Sequence, residues 1–417
     1  MSLAVVNAST PDGRPVALRA VDGLLAGLGE GVRPEQGDDV IDAAGDVLVP
    51  GLVNGHTHAA MTLFRGFGGD LPLMEWLEAK IWPAEARLTD DDVYWGTRLA
   101  CNEMIRSGTV RFWDMYWRPV QVARAVRDAG LRATVGPPLI DNLDTSRSAR
   151  ACAVAEEALD ALSEFVPMVR PSLAPHGIYT VSEESLRWVA EQSATREVPV
   201  HIHFLETEDE VSSCLDRTRL RPGPYVDRIG LLSPRTVLAH GVWMEDEELE
   251  LVAARGSTVV TNPVSNLKLA VGRVFPYARV RARGIPVGLG TDSASSNNGL
   301  DMLQDVKVLA IIQKHAENDP SAFSASEAWA VATGQRAPAL GASALAVGEP
   351  ADFLLVRASA PELAPGNFLD NLVYAAAGSV VDTTVVAGRV VMRDRVIDGE
   401  AEVRARVVEC ARRLGVL

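Results

Sequence analysis

A chain of 417 residues, 47% hydrophobic and 23% charged, has ample material for a large core and is neither disordered nor fibrous. A net charge of −15 argues against nucleic acid or an anionic membrane as the main partner, because both demand a basic face. The N-terminal stretch reads as short β segments, Leu3–Asn7, Val16–Ala20 and Asp39–Ala43, separated by Gly, Pro and Asp turns. From Val47 the pattern changes. Short apolar runs occur at Val47–Asn54, Thr109–Asp114, Ala133–Pro137, Val169–Ala174, Val198–Phe204, Thr236–Ala239, Ser257–Thr261 and Val287–Gly290. Between and after them lie helical patterns, among them Asp91–Arg106, Val120–Ala129, Ser148–Glu164, Glu183–Glu191, Asp301–His315 and Ala325–Ala332.

Eight apolar runs alternating with helical stretches predict an α/β fold, a (β/α)8 TIM-type barrel. From Leu345 the character reverts to β, at Asp352–Val356, Val380–Val386 and Arg389–Met392, with a hairpin turn expected at Ala387-Gly388. A final helix spans Glu402–Leu414. Both termini are expected to pair into one small β-sandwich domain, dividing the chain at 1–49, 50–344 and 345–417.

Cys101, Cys152, Cys214 and Cys410 lie far apart, giving neither a disulfide framework nor a cysteine zinc site. The start, Met1 to Asn7, carries no signal-peptide pattern, and no apolar stretch approaches the roughly 20 residues of a spanning helix. A cytoplasmic protein with no membrane partner is expected, and a homo-oligomer is compatible with the sequence.

Histidine is scarce, with seven in the chain, and six lie at or near the C-terminal ends of apolar runs, where barrel enzymes keep their sites. His56 and His58, in Asn54-Gly55-His56-Thr57-His58, are two apart on a strand and share a face. His201 and His203 repeat the pattern, with Glu206 three residues beyond. His203 reads as functional; for His201 a functional role and a packing role stand even. His240 closes the sixth run, Asp292 follows the eighth, and His176 follows the fourth. His315 falls in a helix and reads as an ordinary surface or packing residue. Three imidazoles and a carboxylate with an open position suit one divalent metal ion, Zn²⁺ first, with Fe²⁺ or Mn²⁺ also fitting. Such an ion lowers the pKa of bound water toward about 7, and Glu206 is placed to relay protons to a leaving group. The H-x-E…P-C-x-x-C pattern of cytidine-type zinc deaminases is absent.

The set His56-Thr57-His58, His203, His240 and Asp292 resembles the amidohydrolase superfamily. More narrowly, the chain is similar to the 5′-methylthioadenosine/S-adenosylhomocysteine deaminase branch. The likeness runs through Pro50–His56, Ile81-Trp82-Pro83-Ala84-Glu85, Phe112–Tyr116, His203–Thr207, Asn262–Leu269 and Gly290–Asn298. It implies hydrolytic deamination of an adenine nucleoside to its hypoxanthine counterpart and ammonia, by attack of metal-bound hydroxide on purine C6. It also implies roles. His56, His58, His203 and Asp292 would bind the metal, with Asp292 also taking a proton from the metal water. Glu206 would protonate the ring nitrogen, and His240 would orient the hydroxide. Glu85 would hold the ribose hydroxyls, His176 would contact the nucleoside, and Trp82, Ser265, Asn266 and Lys268 would complete the substrate contacts. Another ring on the same metal site, guanine, a pterin or an s-triazine, is the alternative.

Two absences refine this. No lysine lies between Lys80 and Lys268, so no carboxylated lysine can bridge two ions from the fourth strand, and one metal is expected. Relatives acting on S-adenosylhomocysteine are expected to carry a carboxylate-binding arginine where this chain has Pro137-Pro138. Proline offers no donor, and Arg147 and Arg150 stand only in the following segment, so smaller or uncharged 5′ substituents are expected.

Overall fold

The computed structural model describes residues 2–69, 71, 73–342 and 344–417, and two eight-stranded sheets organise them. The N-terminal segment supplies β1 (Ser2–Ser9), β2 (Pro15–Val21), β3 (Leu24–Gly29), β4 (Asp39–Asp42) and β5 (Val47–Pro50). The chain then enters a second sheet with β6 (Leu52–Thr57), β7 (Thr109–Met115) and β8 (Arg132–Gly136). A small side pair, β9 (Pro138–Leu139) and β11 (Ala174–Pro175), brackets β10 (Val169–Pro171) in sequence. The second sheet continues with β12 (Val200–Phe204), β13 (Thr236–His240), β14 (Thr258–Thr261) and β15 (Val287–Leu289). The chain returns to the first sheet through β16 (Phe353–Val356), β17 (Val381–Val386) and β18 (Arg389–Met392).

The second sheet is parallel throughout, in the order β10-β8-β7-β6-β15-β14-β13-β12. Its strands β6, β7, β12, β13, β14 and β15 are buried along their whole length, which is why each reads as an apolar run rather than an alternation. Single parallel bridges, Leu173 to Val200 and Gly177 to His203, link the segment after β10 to β12. The first sheet runs β18-β17-β16-β5-β1-β2-β3, with β4 alongside β1, and so joins both termini. Leu3, Val5, Leu18, Ile41, Leu48, Phe353 and Leu355 pack into its own apolar cluster.

The run expected as one strand, Val47–Asn54, is two. Gly51 interrupts it: β5 pairs antiparallel with β16 in the first sheet, and β6 opens the second. A Cβ at Gly51 would lie 2.4 Å from Val110 methyl carbons, so the chain crosses between sheets where only glycine fits. The Ala387-Gly388 turn joins β17 to β18, both residues having positive φ. Strand β3 was not expected; Gly27 and Gly29 dilute its pattern. His315 lies exposed in the helix Met302–Glu317. Among the described residues no helix is long and apolar enough to cross a membrane, and all four cysteines are free.

Candidate active site

A cavity enclosing about 700 Å³, counting its open mouth, opens at the C-terminal ends of the parallel strands. Its floor carries His58, His203, Glu206, His240 and Asp292, and its outer wall carries Trp82, Glu85, Tyr116, Trp117, Pro138 and Ile140. Three non-glycine residues turn left-handed at the strand ends: Leu205 (φ 52), His240 (φ 79) and Asp292 (φ 61). Such conformations are costly away from glycine, and here they mark where the chain leaves a strand and presents a functional side chain. Gly290 keeps the floor close-packed; a Cβ there would stand 2.4 Å from Asn262 Oδ1 and 2.9 Å from the His56 backbone nitrogen.

The imidazoles are fixed from behind. His58 Nδ1 donates to the Met115 carbonyl (2.7 Å) and His203 Nδ1 to the His176 carbonyl (2.7 Å). A carbonyl can only accept, so both Nε2 atoms carry lone pairs, and they face each other at 3.2 Å. Two facing lone pairs repel unless a cation lies between them. Protonation is disfavoured, because burial holds His203 well below the usual imidazole range. His56 Nε2 is buried with no hydrogen-bond partner, and burial pushes this ring down to about 4. Asp292 Oδ1 stands 3.5 Å from His56 Nε2 and 3.3 Å from His58 Nε2. This donor set fits a divalent cation. Burial would raise Asp292, but His56, His58 and His240 outweigh it and hold the carboxyl well below its ordinary value.

His201, left open by the sequence, lies behind His56. His56 Nδ1 lies 2.8 Å from His201 Nε2, and with Nε2 given to a cation it is Nδ1 that would carry the hydrogen and donate. His240 Nδ1 meets Asn266 Oδ1 at 2.8 Å and stands 3.7 Å from Glu206 Oε1. Burial would lower His240, yet Glu206 and Asp292 raise it; Glu206 itself is raised by burial. At the outer wall Glu85 accepts from the Tyr116 hydroxyl (2.8 Å) and the Trp117 indole N–H (3.4 Å), and burial raises its pKa. His176 lines the cavity, with Nδ1 2.9 Å from Thr180 Oγ1; burial pushes it down to about 3.

Three residues expected to contact substrate do not line the cavity. Ser265 is fully buried and donates to Asp292 Oδ2 (2.6 Å), where Ser296 also donates (3.0 Å). Asn266 turns Oδ1 to His240, and Lys268 donates to the Ser295 carbonyl (3.1 Å) and to Asn298. Position in a matched segment placed them near the site; the short helix Pro263–Lys268 turns them to its back. Trp82, Glu85 and His176 do line it.

The profile described as the amidohydrolase family matches residues 47–391. The chain belongs to the amidohydrolase family. It is 48% identical over 380 residues to the 5′-deoxyadenosine deaminase of Methanoregula boonei, covering 90% of this chain and 86% of that one. It is 40% identical to 5-methylthioadenosine/S-adenosylhomocysteine deaminase 1 of Archaeoglobus fulgidus, covering 91% and 90%. The crystal structure of a zinc-bound adenosine deaminase from Xanthomonas campestris matches with a TM-score of 0.92 at 32% identity, covering 100% of this chain and 98% of that one. Family and neighbour support a divalent-metal site here.

Several residues that shape the site of this amidohydrolase were missed in the sequence. Tyr116 and Trp117 immediately follow β7, and their place at a strand end was the available signal. Tyr179 lines the cavity and packs edge-on to His176, with ring centroids 5.6 Å apart; nothing in its sequence surroundings marks it. Asn262 Nδ2 lies 3.3 Å from His240 Nδ1, one turn before Asn266 in the same segment.

Proposed function

We propose that this amidohydrolase deaminates adenine nucleosides hydrolytically, releasing ammonia and leaving the hypoxanthine nucleoside. One observation carries the reading: Glu206, His240 and the imidazole–carboxylate cluster share a single cavity with Glu85. The similarity to adenine-nucleoside deaminases over most of the chain supports it.

His56, His58, His203 and Asp292 would hold one divalent ion, zinc first for a nitrogen-rich donor set. When bound, the ion supplies Lewis-acid activation of water at neutral pH. The protein's own groups do the rest. Ser265 and Ser296 donate to Asp292 Oδ2 and fix the carboxylate with Oδ1 turned to the imidazoles, where it would help hold the ion and take a proton from the attacking water. Glu206, raised by burial, retains a proton at higher pH than a solvated glutamate and hands it to the ring nitrogen beside the reacting carbon. His240, fixed through Nδ1 by Asn266, orients the attacking oxygen. Each Glu85 oxygen accepts one hydrogen bond from the protein and keeps a further lone pair for a ribose hydroxyl. Neutral His176 contacts the nucleoside.

The 5′ end would meet Pro138 and Ile140, and the one arginine lining the adjoining pocket among the described residues, Arg118, is paired with Asp90. Pro138 and Ile140 line the cavity, whereas Arg147 and Arg150 are exposed outside it and Arg147 pairs with Asp144. This favours adenosine, 5′-deoxyadenosine or 5′-methylthioadenosine over S-adenosylhomocysteine. The reading includes a closed (β/α)8 barrel, supported by the Leu173–Val200 and Gly177–His203 bridges, with domains at 1–49, 50–344 and 345–417. The shared cluster of Leu3, Leu18, Phe353 and Leu355 supports a β-sandwich of the two termini.

The test is ammonia release by zinc-loaded protein across the four nucleosides and guanine, a pterin and an s-triazine. The reading predicts turnover of the nucleosides, with S-adenosylhomocysteine the poorest. Turnover confined to the other rings would contradict the function, and a clear preference for S-adenosylhomocysteine would contradict the 5′ assignment.

A further inference from the structure

Glu206 hangs from a peptide that three separate hydrogen bonds hold in place. The Leu205 carbonyl accepts from Trp243 N–H at 2.9 Å. The N–H groups of Leu205 and Glu206 donate to the two oxygens of a single carboxylate, Glu210 Oε1 (2.9 Å) and Oε2 (3.0 Å). Glu210 is 3% exposed and lies in the first turn of the helix Glu208–Thr218.

In two other helices a carboxylate at this position does something else. In the helix Asp90–Arg106, Asp92 returns to the N–H of its own N-cap Thr89 (2.6 Å). In Asp246–Arg255, Glu248 returns to N-cap Glu245 (2.9 Å). These are ordinary capping boxes, and they brace their own helix. At Glu208–Thr218 the N-cap is Thr207, whose hydroxyl accepts from Glu210 N–H (3.3 Å), but the Glu210 carboxylate reaches past Thr207 to the two residues before it. Those two residues are the left-handed Leu205 and Glu206 itself. A left-handed leucine is disfavoured, and the paired hydrogen bonds that the Leu205 and Glu206 N–H groups donate to one carboxyl group offset that cost where the chain must bend to present Glu206.

We infer that Glu210 is a positioning residue for the proton-transfer step: its carboxylate locks the Leu205–Glu206 bend and so aims the Glu206 side chain into the cavity. The inference rests on Glu206 acting as the proton donor, as proposed above. Glu210 does not line the cavity, so neither substrate nor metal would be held by it directly. Alanine at 210 leaves two buried N–H groups without acceptors. Glutamine keeps one acceptor oxygen and sets an N–H₂ against the other donor.

The experiment compares wild type, E210A, E210Q, T207A and E206Q as zinc-loaded full-length proteins. It reads kcat, KM, metal content and amide hydrogen exchange of the peptide spanning residues 205 and 206. E210A is expected to lower kcat about 100-fold, the scale set by small misplacement of a catalytic group, and E210Q about tenfold. KM and metal content stay within about twofold. Exchange at residues 205 and 206 accelerates in both variants. T207A, which removes the cap but leaves the carboxylate, keeps kcat within about twofold while lowering Tm. If E206Q is inactive and E210A retains wild-type kcat, the positioning role is overturned. It is equally overturned if T207A loses as much kcat as E210A, or if E210A loses metal and raises KM in step with kcat, since each outcome reduces Glu210 to a scaffold residue. Retained activity in E206Q would instead overturn the proton-donor reading.

Discussion

The cavity has two walls built on different principles. The histidine floor is rooted in the parallel strands: His56 and His58 on or beside β6, His203 on β12, His240 at the end of β13. Its imidazoles are locked by backbone carbonyls or by other buried side chains. The outer wall, with Trp82, Glu85, Trp117, Pro138 and Ile140, comes from a short helix, the two-residue strand β9 and loops, and Trp82 and Trp117 are each 36% exposed. On the proposed reading the floor would carry chemistry that needs fixed geometry, and the outer wall would carry recognition, where sequence can change without disturbing the reacting centre. One family can therefore keep its reaction and vary its substrate.

Variants on the two walls should separate kcat from specificity. The largest effect belongs to the floor. E206Q should lower kcat about 1,000-fold with metal content unchanged, since glutamine holds no transferable proton; ammonia release and metal analysis check it.

The next effect concerns stability. Burial holds His56 at about 4 and His176 at about 3, whereas an unfolded imidazole titrates near about 6.5. The folded-state values are depressed, so the unfolded chain takes up protons first as pH falls. The stabilisation is full above about pH 6.5 and is lost as pH falls toward the folded values. H176Q removes one such group, and should flatten the stability loss of metal-free protein between about pH 6.5 and about pH 4 by about 3 kcal/mol. Urea midpoints at the two pH values read it; an unchanged slope would sink it.

The outer wall should respond differently. E85A should lower kcat/KM for adenosine about 100-fold through lost hydrogen bonds to the sugar, and leave the slow turnover of free adenine within about twofold. Equal losses on both substrates would erase the distinction between the walls. The smallest effect is at His201. H201Q keeps an acceptor for His56 Nδ1 and should weaken zinc affinity about tenfold in a chelator competition, with kcat of the loaded protein little changed.

The floor was legible in the sequence because strand periodicity says which residues share a face. His56 and His58, then His203 with Glu206 just beyond, could be placed from spacing and apolar runs alone. Direction off a strand was not legible. Ser265 and Asn266 sit in the right segment yet serve Asp292 and His240 from behind, because the short helix after β14 decides which way they point. Glu210 carried a visible signal, the Thr207-x-x-Glu210 capping pattern, but the pattern names a helix start and not the reach of its carboxylate. The split of Val47–Asn54 between two sheets was invisible for a related reason: an apolar run does not declare its pairing partner.

The central claim is that a deaminating floor is paired with a ribose-recognising wall. The most direct measurement is kcat/KM of zinc-loaded wild type for 5′-deoxyadenosine, free adenine and guanine, side by side. The account predicts that the nucleoside exceeds adenine by about 100-fold or more, with guanine not turned over. Adenine or guanine matching or exceeding the nucleoside would contradict it.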